Sequence, residues 1–256
     1  MTGWLALQSV SVVLGNRTVV ADVNATFAPG QFVAIVGPNG AGKTSLLRAV
    51  AGRLPCSGSI MLAGQPLAAI TLSERARLIG YLPQGHQTHW PLPVRDIVGL
   101  GRLAHGAGDP RRLTGADAAA VADAITRTGI GAILDQPATD LSGGERARVA
   151  LARVLAQQTP LVLADEPTAS LDPRYQLQIA NLLRDLAREG VLVLAVTHDL
   201  SHAAHFADRV LVMNRSQVVR DAAPSAALDD ATLAEVFGVR AASDASAARV
   251  PWEVLP

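Results

Sequence analysis

The sequence predicts an α/β fold: a mainly parallel sheet with crossover helices, an antiparallel β-subdomain at the N-terminus and an inserted α-helical subdomain. Short, nearly all-apolar runs at QFVAIVG, PLVLAD, VLVLAV and DRVLVM are separated by helical segments, the alternation that builds parallel strands with crossovers. The opening LALQSVSVVL and TVVADVNATF alternate loosely, are rich in β-branched residues and meet at Gly15-Asn16, a turn signal. From about Gly85 to Asp140 the texture changes to Pro91, Pro93, several glycines and the Ala-rich ADAAAVADAITRTG, a helix-forming composition.

Taken in order, the first two runs are antiparallel strands, and QFVAIVG is a buried central strand. SLLRAVAG has helical spacing ended by Gly52, and SGSIMLAG and LIGYLPQ add short strands before the insertion. The insertion runs into LSGGE, Leu141 to Glu145, and the helix-like ERARVALARVLAQ. Strands and helices then alternate to the end, where ASDASAA from Ala241 is small and polar and reads as a loosely held tail. The expected organisation is one domain over residues 1–240, with its core at about 1–84 and 150–240, the helical insertion at about 85–149, and a tail at 241–256.

The 256 residues suffice for one compact domain with subdomains. Apolar residues make up 49% of the chain, but charged, polar, Gly or Pro residues interrupt every run before it reaches bilayer length. No basic start precedes a long apolar stretch, so a signal peptide is not expected and the cytosol is the expected compartment. Lys plus Arg equals Asp plus Glu at 22 each, so no global field favours nucleic acid or an anionic bilayer. Any attachment to a membrane would then come through a protein partner. Cys56 is the only cysteine, which excludes an intramolecular disulfide and a thiolate metal cluster.

GPNGAGKT, from Gly37 to Thr44, follows a buried strand and precedes a helix, the context in which G-x-x-x-x-G-K-[ST] binds phosphate. Gly37, Pro38, Asn39, Gly40, Ala41, Gly42, Lys43, Thr44 and Ser45 are the candidate cradle: the loop turns N–H groups inward and the helix start adds positive potential. Lys43 reaches the β- and γ-phosphates, and the Thr44 hydroxyl is a Mg²⁺ ligand in such loops. LVLADEP ends an apolar run with adjacent acids. Asp165 is the candidate for Mg²⁺, held largely through water, and Glu166 for the general base. His198 closes VLVLAVTHD, where an imidazole can hydrogen-bond a γ-phosphate, and Gln84 in YLPQ offers a neutral amide to Mg²⁺ or water. His202 and His205 follow at helical spacing on an expected polar face, a weak pattern for a metal pair.

Read in order, GPNGAGKT, YLPQ, LSGGE, LVLADEP, SLD and TH resemble the motif series of an ABC transporter ATP-binding subunit, a P-loop NTPase. The series runs from Gly37 to His198, and LSGGE is its most specific member. An N-cap serine before a helix would account for LSGGE locally, but not for the rest of the series. The resemblance implies a homodimer packed head to tail, in which Ser142, Gly143 and Gly144 of one subunit hold the γ-phosphate bound by the other's P-loop. It implies that Ser170, Leu171 and Asp172 line the dimer seam, and that ATP and Mg²⁺ are the cofactors. Two departures stand out. Leu14 in VVLGNR occupies the position where many relatives stack an aromatic ring on adenine, and Arg146-Ala147-Arg148 replaces the usual glutamine-rich continuation of the signature, with Arg146 open to either nucleotide or solvent.

SVVLGNRTVVADVNATFAPG, HWPLPVRDIVGLGR and SGGERARVALARVLAQ further resemble the ATPases of importers for haem, ferric siderophores and cobalamin, with haem importers nearest. That likeness implies a membrane-spanning permease dimer as partner, a periplasmic or extracellular substrate-binding protein acting indirectly, no nucleic acid, and a peripheral position on the cytoplasmic face of the plasma membrane. His86 through Ile97 is the expected permease surface, with Trp90 and Leu92 either as apolar anchors or as local packing of the insertion. His86, His89 and His105 are not read as haem ligands. The alternative is a soluble ABC ATPase of a scaffold such as iron–sulfur cluster assembly, which shares the motifs and lacks the membrane partner.

Overall fold

The computed structural model describes residues 3–85, 90–169 and 171–239. His86, His89, Ser170 and the tail from Ala241 lie outside the described residues. In chain order the strands are β1 (Leu5–Leu14), β2 (Arg17–Phe27), β3 (Phe32–Val36), β4 (Ser57–Leu62), β5 (Gln65–Pro66), β6 (Ile79–Leu82), β7 (Leu161–Asp165), β8 (Leu192–Val196), β9 (Arg209–Asn214) and β10 (Gln217–Ala222). The helices that matter below are α1 (Lys43–Val50), α2 (Leu72–Leu78), α3 (Val94–Gly99), α4 (Gly115–Thr128), α5 (Gly143–Ala156), α6 (Pro173–Arg188) and α7 (Leu200–Phe206).

The chain divides into two compact units, one formed by the residues up to Ile70 together with those from Leu183 onward, the other by Thr71–Leu182. In the first, β1 pairs antiparallel with β2 and β4, as the β-branched opening implies. Leu14 and Arg17 close the first hairpin, with Gly15 at φ 59 supplying the left-handed turn residue. The other strands of this unit run in the order β10-β9-β3-β8. β3 is parallel to both β9 and β8, and every residue of β3 and β8 is buried, which is why these strands read as unbroken apolar runs. Ala34, Val36, Val210 and Val212 pack with Ala203 and Ala207 of the α7 region on one face of this sheet.

In the second unit, β6 and β7 are parallel, with Leu82 opposite Ala164. Helices α3, α4 and α5 form its helical part. Arg102 is only 4% exposed, and it joins Asp117 of α4 (Nε to Oδ1, 2.7 Å) to the carbonyl of Ala156 at the end of α5 (Nη1, 2.7 Å). The buried guanidinium is tolerated because a carboxylate and a carbonyl take its protons. The segment around Pro93 is tied to the end of the insertion by Val94 N–H to Gln136 O, 3.1 Å, and Arg95 N–H to Leu134 O, 3.0 Å. No helix among the described residues is long and apolar enough to cross a membrane.

Candidate functional site

In the first unit, the loop after β3 is shaped by glycines that no other residue could replace without displacing backbone. A Cβ on Gly42 (φ 101) would sit 2.0 Å from the carbonyl oxygen of Val19, and one on Gly37 (φ 151) would sit 2.1 Å from that of Met213. The loop therefore threads between β2 and β9. Gly42 caps α1 without any side-chain hydrogen bond, and the first turn of α1 carries no acid. The N-terminal end of the α1 dipole, with no carboxylate of its own helix beside it, favours an anion. Lys43 is 7% exposed, and its Nζ donates to the carbonyls of Gly37 at 2.7 Å and Pro38 at 3.0 Å. The ammonium is thus folded over the loop it belongs to. Thr44 and Ser45 follow within the first turn of α1.

His198 lies at the same end of this sheet. Ile35 of β3 is in register with Val196 of β8, and Thr197 N–H donates to Ile35 O at 3.1 Å, so the residue after it stands beside the start of the glycine loop. His198 is exposed. The next residue, Asp199, caps α7 by accepting from His202 N–H at 2.9 Å. His202 itself is 7% exposed, against the polar face that its spacing implies, and its ring meets Phe206 edge-on with centroids 5.7 Å apart. It is a core residue, and no group of three His, Cys, Asp or Glu side chains that could hold a metal occurs among the described residues. Leu14 is 45% exposed at the tip of the first hairpin, an aliphatic side chain where the sequence raised the question of base stacking.

In the second unit, the paired strands β6 and β7 bring Gln84 to the two acids. Asp165 is 0% exposed at the end of β7, and the hydroxyl of Tyr81 donates to its Oδ2 at 3.3 Å. Gln84 Nε2 donates to Glu166 Oε2 at 2.7 Å. Glu166 has φ 51, a left-handed conformation that costs a non-glycine residue roughly 1–3 kcal/mol and concentrates at functional positions. The turn sends its carboxylate toward Gln84 instead of continuing the strand's alternation. The Asp165 carboxyl is a hard oxygen donor of the kind Mg²⁺ takes, and so, in the first unit, is the hydroxyl of Thr44. Tyr81 was not assigned a role from sequence. Its contact with Asp165 arises from strand pairing across the insertion, and the sequence signal was only its place in YLPQ beside Gln84.

The signature segment forms the start of α5. Ser142 is the N-cap, and it shares a capping box with Glu145: Ser142 Oγ accepts from Glu145 N–H at 3.3 Å, while Glu145 Oε2 accepts from Ser142 N–H at 2.8 Å and from Ser142 Oγ at 2.7 Å. Hydrogen bonds from the Ser142 side chain and backbone hold the Glu145 carboxyl below its ordinary value. Ser142 and Gly143 are exposed, so the first donors of α5 face outward. Arg146 donates through Nη1 to the carbonyl of Leu141, which settles its local contact: it braces the residue just before the signature. Asp172 is exposed and accepts the first backbone bond of α6, from Gln176 N–H at 3.0 Å. Trp90 is 70% exposed and Leu92 is half-buried in the connection leading to α3.

Residues 20–169 match the family described as ABC transporter. The hemin import ATP-binding protein HmuV of Streptomyces coelicolor is 41% identical over 91% of this chain and 82% of its own length. The cobalamin import ATP-binding protein BtuD of Halobacterium salinarum is 39% identical over 93% of this chain and 60% of its own length. A dimeric ATP-binding cassette solved in a post-hydrolysis state with ADP and phosphate bound superposes with a TM-score of 0.73 at 25% identity, over 86% of this chain and 98% of that one. With its glycine loop, acid pair and signature helix all present, the chain belongs to the ABC transporter family and is an ATP-binding, ATP-hydrolysing cassette.

Proposed function

We propose that this cassette powers the import of haem, or of a related iron or cobalamin complex, through a membrane permease. The observation that carries the hydrolytic part is the Glu166 carboxylate, turned by a left-handed backbone and held at 2.7 Å by Gln84 beside the buried Asp165. The names of the hemin and cobalamin relatives support the cargo.

Residues Gly37 to Ser45 wrap the triphosphate, and Lys43 leaves the carbonyls of its own loop for the β- and γ-oxygens when the nucleotide binds. Thr44, Asp165 and Gln84 would hold Mg²⁺, which would supply charge neutralisation at the phosphates. Glu166 takes a proton from the attacking water as its oxygen bonds to the γ-phosphorus and the bond to ADP breaks. His198 hydrogen-bonds the γ-phosphate and so reports its loss. Ser142, Gly143 and Gly144 of a second copy complete each site, Asp172 lines the seam, and the pair reopens when the γ-phosphate contacts vanish. The pair sits on the cytoplasmic face of the plasma membrane beneath a permease dimer, which a substrate-binding protein supplies from the other side, and Trp90 and its neighbours meet that permease.

Reconstitution of the cassette with its permease in proteoliposomes tests this reading. Haem-loaded binding protein is expected to raise ATP turnover, with cobalamin- or siderophore-loaded protein as the related alternatives. Failure to co-purify with any multi-span protein from solubilised membranes, together with unstimulated turnover, would move the cassette to a soluble scaffold.

A further inference from the structure

One aromatic side chain outside the proposed chemistry grips the signature helix. Tyr175, half-buried in the first turn of α6, lies against Gly144: a Cβ at that glycine would be 3.1 Å from the ring's Cδ2 and 3.3 Å from its Cε2. One turn further along α5, the Arg148 guanidinium lies 5.0 Å from the ring centroid of the same tyrosine. Arg148 Nη1 also donates to the carbonyl of Gly129 at 2.9 Å, at the end of α4. Its Nε is buried with no hydrogen-bond partner, so the electron-rich ring face is what compensates the flat cation there. The ring thus touches backbone at one helical position and a fixed cation four residues on, the two points that define the tilt of the first turn of α5.

α6 follows directly on the segment that leaves Asp165 and Glu166, and its first backbone bond closes on Asp172. A shift of the first turn of α6 would reach the signature through the ring, because a planar side chain packed against a glycine cannot slide without displacing the turn beside it. We propose that Tyr175 is a positioning residue: with Arg148, it holds the donors of Ser142, Gly143 and Gly144 at the angle that a second copy's triphosphate requires, and ties that angle to the acid pair of its own chain. The proposal rests on completion of each ATP site in trans.

The test uses the full chain in a Glu166→Gln background, with ATP-dependent dimerisation read by light scattering and binding of a fluorescent ADP read separately. Tyr175→Ala is expected to raise the ATP concentration needed for half-dimerisation roughly tenfold, the scale of a lost ring–cation contact. Its ADP affinity should stay at the parent value, since the glycine loop is untouched. Tyr175→Phe should restore dimerisation, because the ring and not the hydroxyl makes both contacts, while Tyr175→Leu, which fills space without a flat face, should remain impaired. Parent-like dimerisation of Tyr175→Ala, parent-like dimerisation of Tyr175→Leu, or parallel loss of ADP binding in Tyr175→Ala overturns the assignment. If the Glu166→Gln parent itself fails to dimerise with ATP, completion in trans is wrong and the role of Tyr175 falls with it.

Discussion

Glu166 is held in a strained backbone conformation with its carboxylate anchored by a neutral amide, which restrains the side chain without adding a charge that would repel phosphate. Glu166→Gln is expected to lower kcat by roughly 10²–10⁴-fold with little change in ATP affinity, as measured by steady-state turnover against equilibrium nucleotide binding. Gln84→Ala removes the anchor and keeps the base, so the expected loss is smaller, on the order of tenfold in kcat. At the phosphate loop, Gly42→Ala forces a Cβ to within 2.0 Å of the Val19 carbonyl at φ 101. It should destabilise the chain by roughly 3 kcal/mol or more in urea unfolding and abolish ATP binding. Most of these residues were legible in the sequence because each sits in a contiguous string with its strand or helix attached. The Tyr81–Asp165 and Gln84–Glu166 contacts were not, since they depend on β6 lying beside β7, and no local pattern encodes a pairing across the intervening insertion.

Two helices carry the same N-terminal device with different consequences. Thr71 and Glu74 form a capping box on α2, and Ser142 and Glu145 form one on α5. Thr71→Ala and Ser142→Ala should each cost about 1 kcal/mol of stability, read by chemical denaturation. Only Ser142→Ala should also impair ATP-driven dimerisation, because in the proposed pair only that serine meets the other copy's phosphate. Equal effects of the two substitutions on dimerisation would make the signature serine a cap and nothing more. Both glutamates are held below the ordinary carboxyl value, first by the side-chain hydrogen bond from the capping residue and then by its backbone N–H. A carboxyl depressed in the folded state adds stability that is complete above its unfolded value of about 4.3 and disappears as pH falls through the folded value. Acid titration of the melting temperature should therefore show a decline in that window, and Glu74→Gln with Glu145→Gln should flatten it. The box on α2 was readable as T-x-x-E, yet the short LSERARL run lacks a strong apolar period. β10 was missed for a related reason, since QVVRDA is mostly exposed and offers neither a buried run nor clean alternation.

At the scale of the molecule, the balance of 22 acidic and 22 basic residues leaves no general field to assemble the chain on a membrane or a nucleic acid. Among the described residues no helix is suited to spanning a bilayer. A specific surface is the alternative, and the start of α5, where Ser142 and Gly143 are exposed, is a candidate. If every triphosphate is enclosed by the glycine loop of one chain and the signature of another, hydrolysis is second order in protein at low concentration. Turnover per chain should fall in proportion to concentration once the protein is diluted below the dissociation constant of its ATP-bound pair. ATP binding to the single chain should persist throughout that dilution, because the loop between β2 and β9 is complete within one polypeptide. Mixing an excess of a Lys43→Ala chain, whose signature is intact, with dilute unmodified chain should restore part of the lost turnover by supplying the missing donors. An excess of a chain carrying both Lys43→Ala and Ser142→Ala should restore less, since neither site of the mixed pair then has both a working loop and an intact signature. Turnover per chain that stays constant across the dilution series would mean that one copy suffices, and the division of the site between two chains would be wrong.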